Sequence, residues 1–419
     1  PASINSGVPS SACSIATILL VSAIVVKIAP TSQLHGQIGE LDLAMTKLAL
    51  QTITLDCQQF ATVQDLLELK LASSCKRSFQ VANIGDTWSI QARTLAGNKW
   101  LKLRDWFGFF FEQGLMPTAG VVITIGSSHS NHLAAFASIT YALGLRAIAL
   151  VRANEVGRRL SATPTLDRLA ESGVAVVGVS RSNYRQLRHQ LGLYGNDNSQ
   201  ENKQTSALLR QLLTAEGLEL FEHDATQRLF FIPEGGLGWR ASLSVSRWAR
   251  LALIPALSEA SQIYCAIGTG AWFTGIRHGL SQNSPGSNSP QRLISRPTLI
   301  GVPVVRGVNW LPAQLEAQMH QVSQFDSTAH SGDNWRLDWS QSYKGISPMP
   351  APVVQRLAQA LQLQIDPVYM PRLLKAMMSS WRSNAAKGSD LILHGGGIQA
   401  LGSATPSHLR PKSNIEEST

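Results

Sequence analysis

Along the chain, short runs of β-branched and aliphatic residues alternate with stretches whose apolar positions recur every three or four residues, the rhythm of strands followed by helices. Val121-Val122-Ile123-Thr124-Ile125 is the clearest strand, a continuous β-branched run of the kind buried on both faces of a parallel sheet. The small, polar stretch Gly126-Ser127-Ser128-His129-Ser130-Asn131-His132 follows it, then an alanine-rich helical segment from Leu133 to Leu143, then a second strand at Ala147–Val151. The result is a β-α-β unit whose polar loop lies at the carboxyl end of its first strand, where open α/β sheets bind ligands.

The rhythm continues downstream. Leu166–Gly173 reads as a helix stopped by glycine and Val174–Val179 as a strand. Phe230-Phe231-Ile232-Pro233, Gln262–Ile267, Leu299–Val305 and Leu391–His394 read as further strands. Several of these run into glycine turns: Glu234-Gly235-Gly236-Leu237-Gly238, Gly268-Thr269-Gly270 and Gly395-Gly396-Gly397. Upstream, Trp88-Ser89-Ile90-Gln91-Ala92 alternates like a strand and leads into Gly97-Asn98-Lys99, while Asp366-Pro367-Val368-Tyr369 precedes a helix. From about Leu41 to Leu71 the spacing is mixed and assigns no element; Asn196–Thr205 and Ser281–Gln291 are polar surface loops, and the tail after about Thr405 is polar.

Composition narrows the class without naming a function. With 419 residues, 44% hydrophobic and 15% charged, the chain is globular and long enough for one large or two ordinary domains. A net charge of +9 invites a nucleic-acid reading, but no basic cluster with interleaved aromatics appears, and Arg158-Arg159 is the densest basic pair in the middle of the chain. No nucleic-acid partner is expected; the charge favours small anionic ligands. Cys13, Cys57, Cys75 and Cys265 are dispersed without a Cys-x-x-Cys pair, which fits a reducing, cytoplasmic setting and neither a disulfide framework nor a zinc ribbon. His129 and His132 lack nearby carboxylates or thiolates to complete a metal shell, so no metal is expected. The apolar run Ile15–Val26 is about a dozen residues, short of the roughly 20 that span a bilayer, so no membrane partner is expected.

Three stretches carry candidate chemistry. Lys99 stands between a glycine turn and an apolar helix start, where desolvation favours a neutral, nucleophilic amine; an ordinary solvated lysine at a helix start is the bland reading. Ser130 and Asn131 offer donors and oxygens to an anion at a helix start, or else simply cap that helix. Gly268, Thr269 and Gly270 between a strand and a helix form a nest of backbone amides suited to phosphate; the dinucleotide fingerprint competes but has a different glycine spacing and an acidic residue that this chain lacks at the usual distance.

Taken in order, eight motifs resemble the 1-aminocyclopropane-1-carboxylate deaminase and D-cysteine desulfhydrase family of pyridoxal-phosphate enzymes, of the tryptophan-synthase-β fold type. They are Gly97-Asn98-Lys99, Ser130-Asn131-His132, Pro164-Thr165-Leu166, Ser180-Arg181-Ser182-Asn183-Tyr184-Arg185, Pro233-Glu234-Gly235-Gly236, Gly268-Thr269-Gly270, Asp366-Pro367-Val368-Tyr369 and His394-Gly395-Gly396-Gly397, spread from roughly Trp88 to Gly402. The resemblance implies two open α/β domains with mainly parallel sheets, the cofactor in the cleft between them, and a homodimer. The larger domain is expected over 45–110 and 225–405, the smaller over 111–224, after an N-terminal extension at 1–44 and before a tail at 406–419.

The resemblance further implies that Lys99 forms the Schiff base with pyridoxal 5′-phosphate, that Asn131 bonds the ring hydroxyl, and that the amides of Gly268, Thr269 and Gly270 hold the phosphate. Ser130 would meet the substrate carboxylate or assist proton transfer, and Tyr369 would approach the substrate side of the ring. The implied substrate is a small amino acid, cleaved by a lyase or deaminase reaction. The chain departs from the family pattern in three places: it has no tyrosine after Tyr369, Gly395 stands where threonine is usual, and Trp272 stands where the phosphate loop normally has a small or hydroxyl residue. The missing tyrosine leans the expectation towards D-cysteine desulfhydrase-like β-elimination, with the cyclopropane deaminase as alternative and a cofactor-binding homologue without turnover as a second alternative.

Overall fold

The computed structural model describes residues 50–69, 77–84, 97–115, 120–153, 160, 162–192, 207, 209–211, 228–257, 260–281, 297–304, 308–326, 334–344, 349–381 and 389–395. The strand expected at Trp88–Ala92, the loop Asn196–Thr205, most of Ser281–Gln291, the N-terminal extension and the polar tail lie outside the described residues.

The mixed spacing before residue 71 contains two regular elements. Strand β1 (Leu50–Leu55) buries Ile53 and Leu55 while Thr52 and Thr54 face solvent. Helix α1 (Cys57–Leu66) follows at once, opened by a capping box in which Asp56 accepts from the Gln59 amide at 2.7 Å and Gln59 accepts from the Asp56 amide at 3.1 Å. Strand β2 (Arg77–Asn83) returns antiparallel to β1. These elements are short and one-sided, so their apolar signal is diluted.

Helix α2 (Asn98–Glu112) is the hinge of the architecture. It buries Trp100, Leu101, Leu103, Trp106, Phe107 and Phe110. After it come β3 (Gly120–Gly126), α3 (Asn131–Ala142), β4 (Arg146–Arg152), α4 (Pro164–Glu171), β5 (Ala175–Val179), α5 (Arg181–Gly192) and β6 (Arg228–Ile232). Every residue of β3 is buried, the condition its continuous β-branched run predicts. The strands form a parallel sheet in the order β5-β4-β3-β6. The expected boundary at residue 224 precedes β6, which pairs with β3 from Gly120↔Arg228 to Thr124↔Ile232.

The remaining elements complete a six-stranded sheet. They are α6 (Trp239–Trp248), β7 (Ala260–Ile267), α7 (Ala271–Ser281), β8 (Thr298–Pro303), α8 (Leu311–Phe325), β9 (Trp335–Leu337), α9 (Ala351–Leu361), α10 (Met370–Ser380) and β10 (Ser389–His394). The order is β1-β2-β10-β7-β8-β9, parallel apart from β1 against β2. One apolar cluster runs from Val122 and Ala147 of the smaller sheet through Trp100, Leu101 and Leu103 of α2 to Ile263 and Leu391 of the larger. Removing a fully buried aromatic such as Phe107 from this seam would cost about 3–5 kcal/mol. Among the described residues, no helix is long and apolar enough to cross a membrane.

Close approach of α6 and α7 fixes the strand-end loop between β7 and α7. A Cβ built on Gly275 would lie 2.5 Å from the Ser242 carbonyl oxygen and from Val245 Cβ, and one on Gly279 would lie 2.8 Å from Ala249 Cβ. The two glycines, four residues apart, form one smooth face of α7. Replacing Gly275 with Val is expected to destabilise the protein by about 1–3 kcal/mol through overpacking against backbone that cannot retreat, read as a lower urea midpoint.

Candidate active site

The sequence places a lysine at the start of an apolar helix, and the fold determines what surrounds it. Gly97 adopts φ 94°, a conformation open to glycine, and turns the chain into α2. The Asn98 amide donates to the Gly395 carbonyl at 2.9 Å, so β10 anchors the first turn of the helix. Lys99 is partly buried there; its Nζ donates to Asn98 Oδ1 at 2.9 Å and lies 5.8 Å from the centre of the Tyr369 ring. Loss of hydration lowers its pKa from 10.5 to about 8, against an opposing pull from the Asp366 carboxylate. At pH 7 about a tenth of such an amine is neutral, several hundred times the fraction of an ordinary lysine.

A second lysine on the same helix face is more deeply buried. Lys102 donates from Nζ to the Gly235 carbonyl at 2.5 Å, and burial, then the neighbouring Lys99 charge, hold its pKa well below the usual lysine value. Gly235 and Gly236 both have positive φ, near 68° and 69°, which turns the Glu234-Gly235-Gly236 segment back on itself. A Cβ on Gly235 would sit 2.8 Å from Thr269, and the nearest neighbour of one on Gly236 would be Lys102 at 3.4 Å, so this turn wedges between the lysine helix and the loop after β7.

His132 also lines this region, with burial first and the charges of Lys102 and Lys99 next depressing its pKa well below 6.5. The ring is therefore neutral. Thr124 donates its hydroxyl proton to the Ile232 carbonyl at 2.9 Å, so its oxygen accepts from His132 Nε2 at 2.7 Å; that network puts the ring proton on Nε2 and leaves Nδ1 a buried acceptor with no hydrogen-bond partner.

The residues singled out by sequence fall as follows. Ser130 is the N-cap of α3, its Oγ accepting from the His132 amide at 3.2 Å. Asn131 opens that helix with a buried Oδ1 that has no partner. Gly268, Thr269 and Gly270 form the loop between β7 and α7, and Gly270 has φ 97°. Tyr369 precedes α10 and is partly buried; burial first, then the Asp366 and Glu234 charges, push its hydroxyl up to about 12, so it keeps its proton at neutral pH. Asp366 organises that turn: its Oδ1 accepts from the amides of Val368 at 2.9 Å and Tyr369 at 2.5 Å, and its Oδ2 accepts from the Met370 amide at 3.1 Å with His394 Nε2 3.4 Å away. Lys99 and Tyr369 thus meet, and the Gly235 turn joins Lys102 to Thr269.

Two departures from the family pattern acquire a physical setting. Trp272 is buried against Trp248, ring centres 5.2 Å apart, within the α6–α7 packing. At Gly395 a Cβ would lie 2.5 Å from Asn98 Nδ2, so the Asn98 amide occupies the space a side chain would need. Sequence reasoning passed over Lys102, although its position between two apolar residues, Leu101 and Leu103, signals burial. It also passed over Glu234, which accepts from the Tyr184 hydroxyl at 2.7 Å and pairs with Arg188 at 3.1 Å.

No protein-family model and no curated protein matches the chain. Among solved structures, an ACC deaminase homologue matches at 19% identity over 84% of this chain and 90% of that chain, with a TM-score of 0.57. The chain shares its fold. A hydrogen sulfide-producing enzyme from Fusobacterium nucleatum matches at 12% identity over 76% of this chain and 91% of that chain, and a pyridoxal 5′-phosphate-dependent aspartate racemase at 12% over 86% and 95%, each with a TM-score of 0.45. The two open, mainly parallel α/β sheets agree with the fold class expected from sequence.

The depressed amine predicts a measurable pH profile. The Lys99-dependent rate of imine formation with salicylaldehyde, taken as the difference from Lys99→Ala, should rise with pH and reach half its plateau near pH 8, because the neutral amine is the nucleophile. Asp366→Asn removes the charge that raises the Lys99 pKa, so the midpoint should move to lower pH.

Proposed function

We propose that the chain is a pyridoxal-phosphate-dependent lyase or deaminase of a small amino acid, acting first as a D-cysteine desulfhydrase. The observation that carries this reading is Lys99, an amine brought down to about 8 and set beside the Tyr369 ring, in a fold shared with an ACC deaminase homologue.

The residues present fit the cofactor. Lys99 would supply the amine for its aldehyde, and the Asn131 side chain, whose buried Oδ1 has no partner, would supply a group for its ring hydroxyl. The Gly268-Thr269-Gly270 loop supplies amides for its phosphate; a Cβ on Gly268 would meet nothing within 4 Å, so open space adjoins the loop. When bound, pyridoxal phosphate supplies an electron sink for negative charge at the substrate Cα.

The protein's own groups then divide the proton work. Lys99, as a free amine beside the substrate, would be the base for the Cα proton. Tyr369 holds a proton at its hydroxyl across the neutral range and is the donor towards the leaving sulfur. Ser130, capping α3, and the α3 amides beside it hold the substrate carboxylate at the positive end of the helix. The overall balance is D-cysteine and water to pyruvate, ammonia and hydrogen sulfide, with Cβ–S cleavage following loss of the Cα proton.

A cofactor-binding protein without turnover is a second reading, favoured by Gly395, which supplies no hydroxyl beside Asn98. Purified protein loaded with pyridoxal phosphate should show a visible absorbance band that disappears in Lys99→Ala, and should release sulfide and pyruvate from D-cysteine. An unchanged band in the variant sinks the Lys99 assignment. Release of 2-oxobutanoate from 1-aminocyclopropane-1-carboxylate instead selects the deaminase, and a Lys99-dependent band without product from D- and L-amino acids selects the second reading.

A further inference from the structure

The loop between β7 and α7 owes its orientation to a helix that none of the sequence motifs includes. Gln314 and Gln318 lie four residues apart on one face of α8, and both donate to a single acceptor: Gln314 Nε2 lies 2.6 Å from the Thr269 carbonyl oxygen and Gln318 Nε2 3.2 Å. A carbonyl carries two lone pairs, so both bonds are satisfied at once. The Thr269 carbonyl can only accept, so Gln318 Nε2 faces the loop, and Thr274, on the first turn of α7, donates to Gln318 Oε1 at 3.4 Å.

The peptide linking Thr269 to Gly270 is planar and trans, so its C=O and N–H point in opposite directions. Holding the Thr269 oxygen against α8 therefore turns the Gly270 N–H away from α8. Packing agrees with this polarity. Gly270, at φ 97°, presses against α8 so closely that a Cβ there would lie 2.9 Å from Gln318 Nε2 and from Leu315 Cδ2, whereas a Cβ on Gly268 would enter open space. One side of the loop is sealed by glutamine and leucine, and the Gly270 amide is aimed at the other.

We propose that Gln314 and Gln318 are positioning residues that preset the Gly268–Gly270 amides for a phosphate monoester, a role that rests on the cofactor reading above. Neither glutamine touches the ligand; each acts through the Thr269 carbonyl. Without them that peptide is free to rotate, and the phosphate must pay the ordering cost on binding. The effect belongs to the phosphate alone, since the aldehyde end is held by Lys99 on a different helix.

The test compares pyridoxal 5′-phosphate with pyridoxal, which lacks the phosphate, in absorbance titrations of cofactor-free wild-type protein, Gln318→Met, Gln314→Met and the double variant. Wild-type protein should bind the phosphorylated aldehyde far more tightly. In the variants that preference should fall by on the order of ten-fold or more while pyridoxal affinity stays within about two-fold. Equal weakening of both ligands, or an unchanged preference, overturns the proposal. Gln314 is only partly buried, so Gln314→Met decides the matter if Gln318→Met does not fold. Wild-type protein with Lys99-dependent binding of both aldehydes but no preference for phosphate overturns the glutamine role alone; binding of neither overturns the cofactor reading as well.

Discussion

Burial of one cationic helix between two sheets is the constraint on which the rest depends. Helix α2 must present Trp100, Leu101, Leu103, Trp106, Phe107 and Phe110 to the apolar seam, and that rotation carries Lys99 and Lys102 out of bulk water. An amine in that position costs free energy as a cation, and the protein meets the cost in two ways. Lys102 is given the Gly235 carbonyl, while Lys99 is left with the weaker help of Asn98 and the distant Asp366 charge. The contrast separates a lysine held by a backbone carbonyl from one held by its neighbour's side-chain amide.

Backbone carbonyls are the couplings between the surrounding parts. The Gly235 carbonyl ties the smaller sheet's exit to α2, the Gly395 carbonyl ties β10 to the same helix, and the Thr269 carbonyl ties the β7–α7 loop to α8. Each lies at the carboxyl end of a strand, where a parallel sheet leaves oxygen acceptors without a following ladder partner. Those leftover acceptors anchor the elements packed around the lysine helix and the β7–α7 loop.

Much of this was legible in the sequence, for reasons that vary with the element. The strands β3 and β4 have buried cores on both faces, so their residues form apolar runs, and their alternation with a helix marked the β-α-β unit; the two-domain fold class came with the family resemblance. Elements β1, α1 and β2 were illegible because each buries only a few positions. Lys99 stood out through its glycine turn, but the brace at Lys102 and the pair Gln314 and Gln318 did not. Their roles depend on carbonyls more than forty residues away in the chain, and a polar residue in a helix carries no mark of a distant acceptor.

The contact between Gly395 and Asn98 has a corollary. A hydroxyl-bearing residue cannot enter position 395 while the Asn98 amide stays where it is, and that amide is the hydrogen-bond acceptor of Lys99. The two positions are therefore coupled: introducing threonine after His394 must relocate Asn98 in the same step, and the Lys99 amine would lose or shift its acceptor with it.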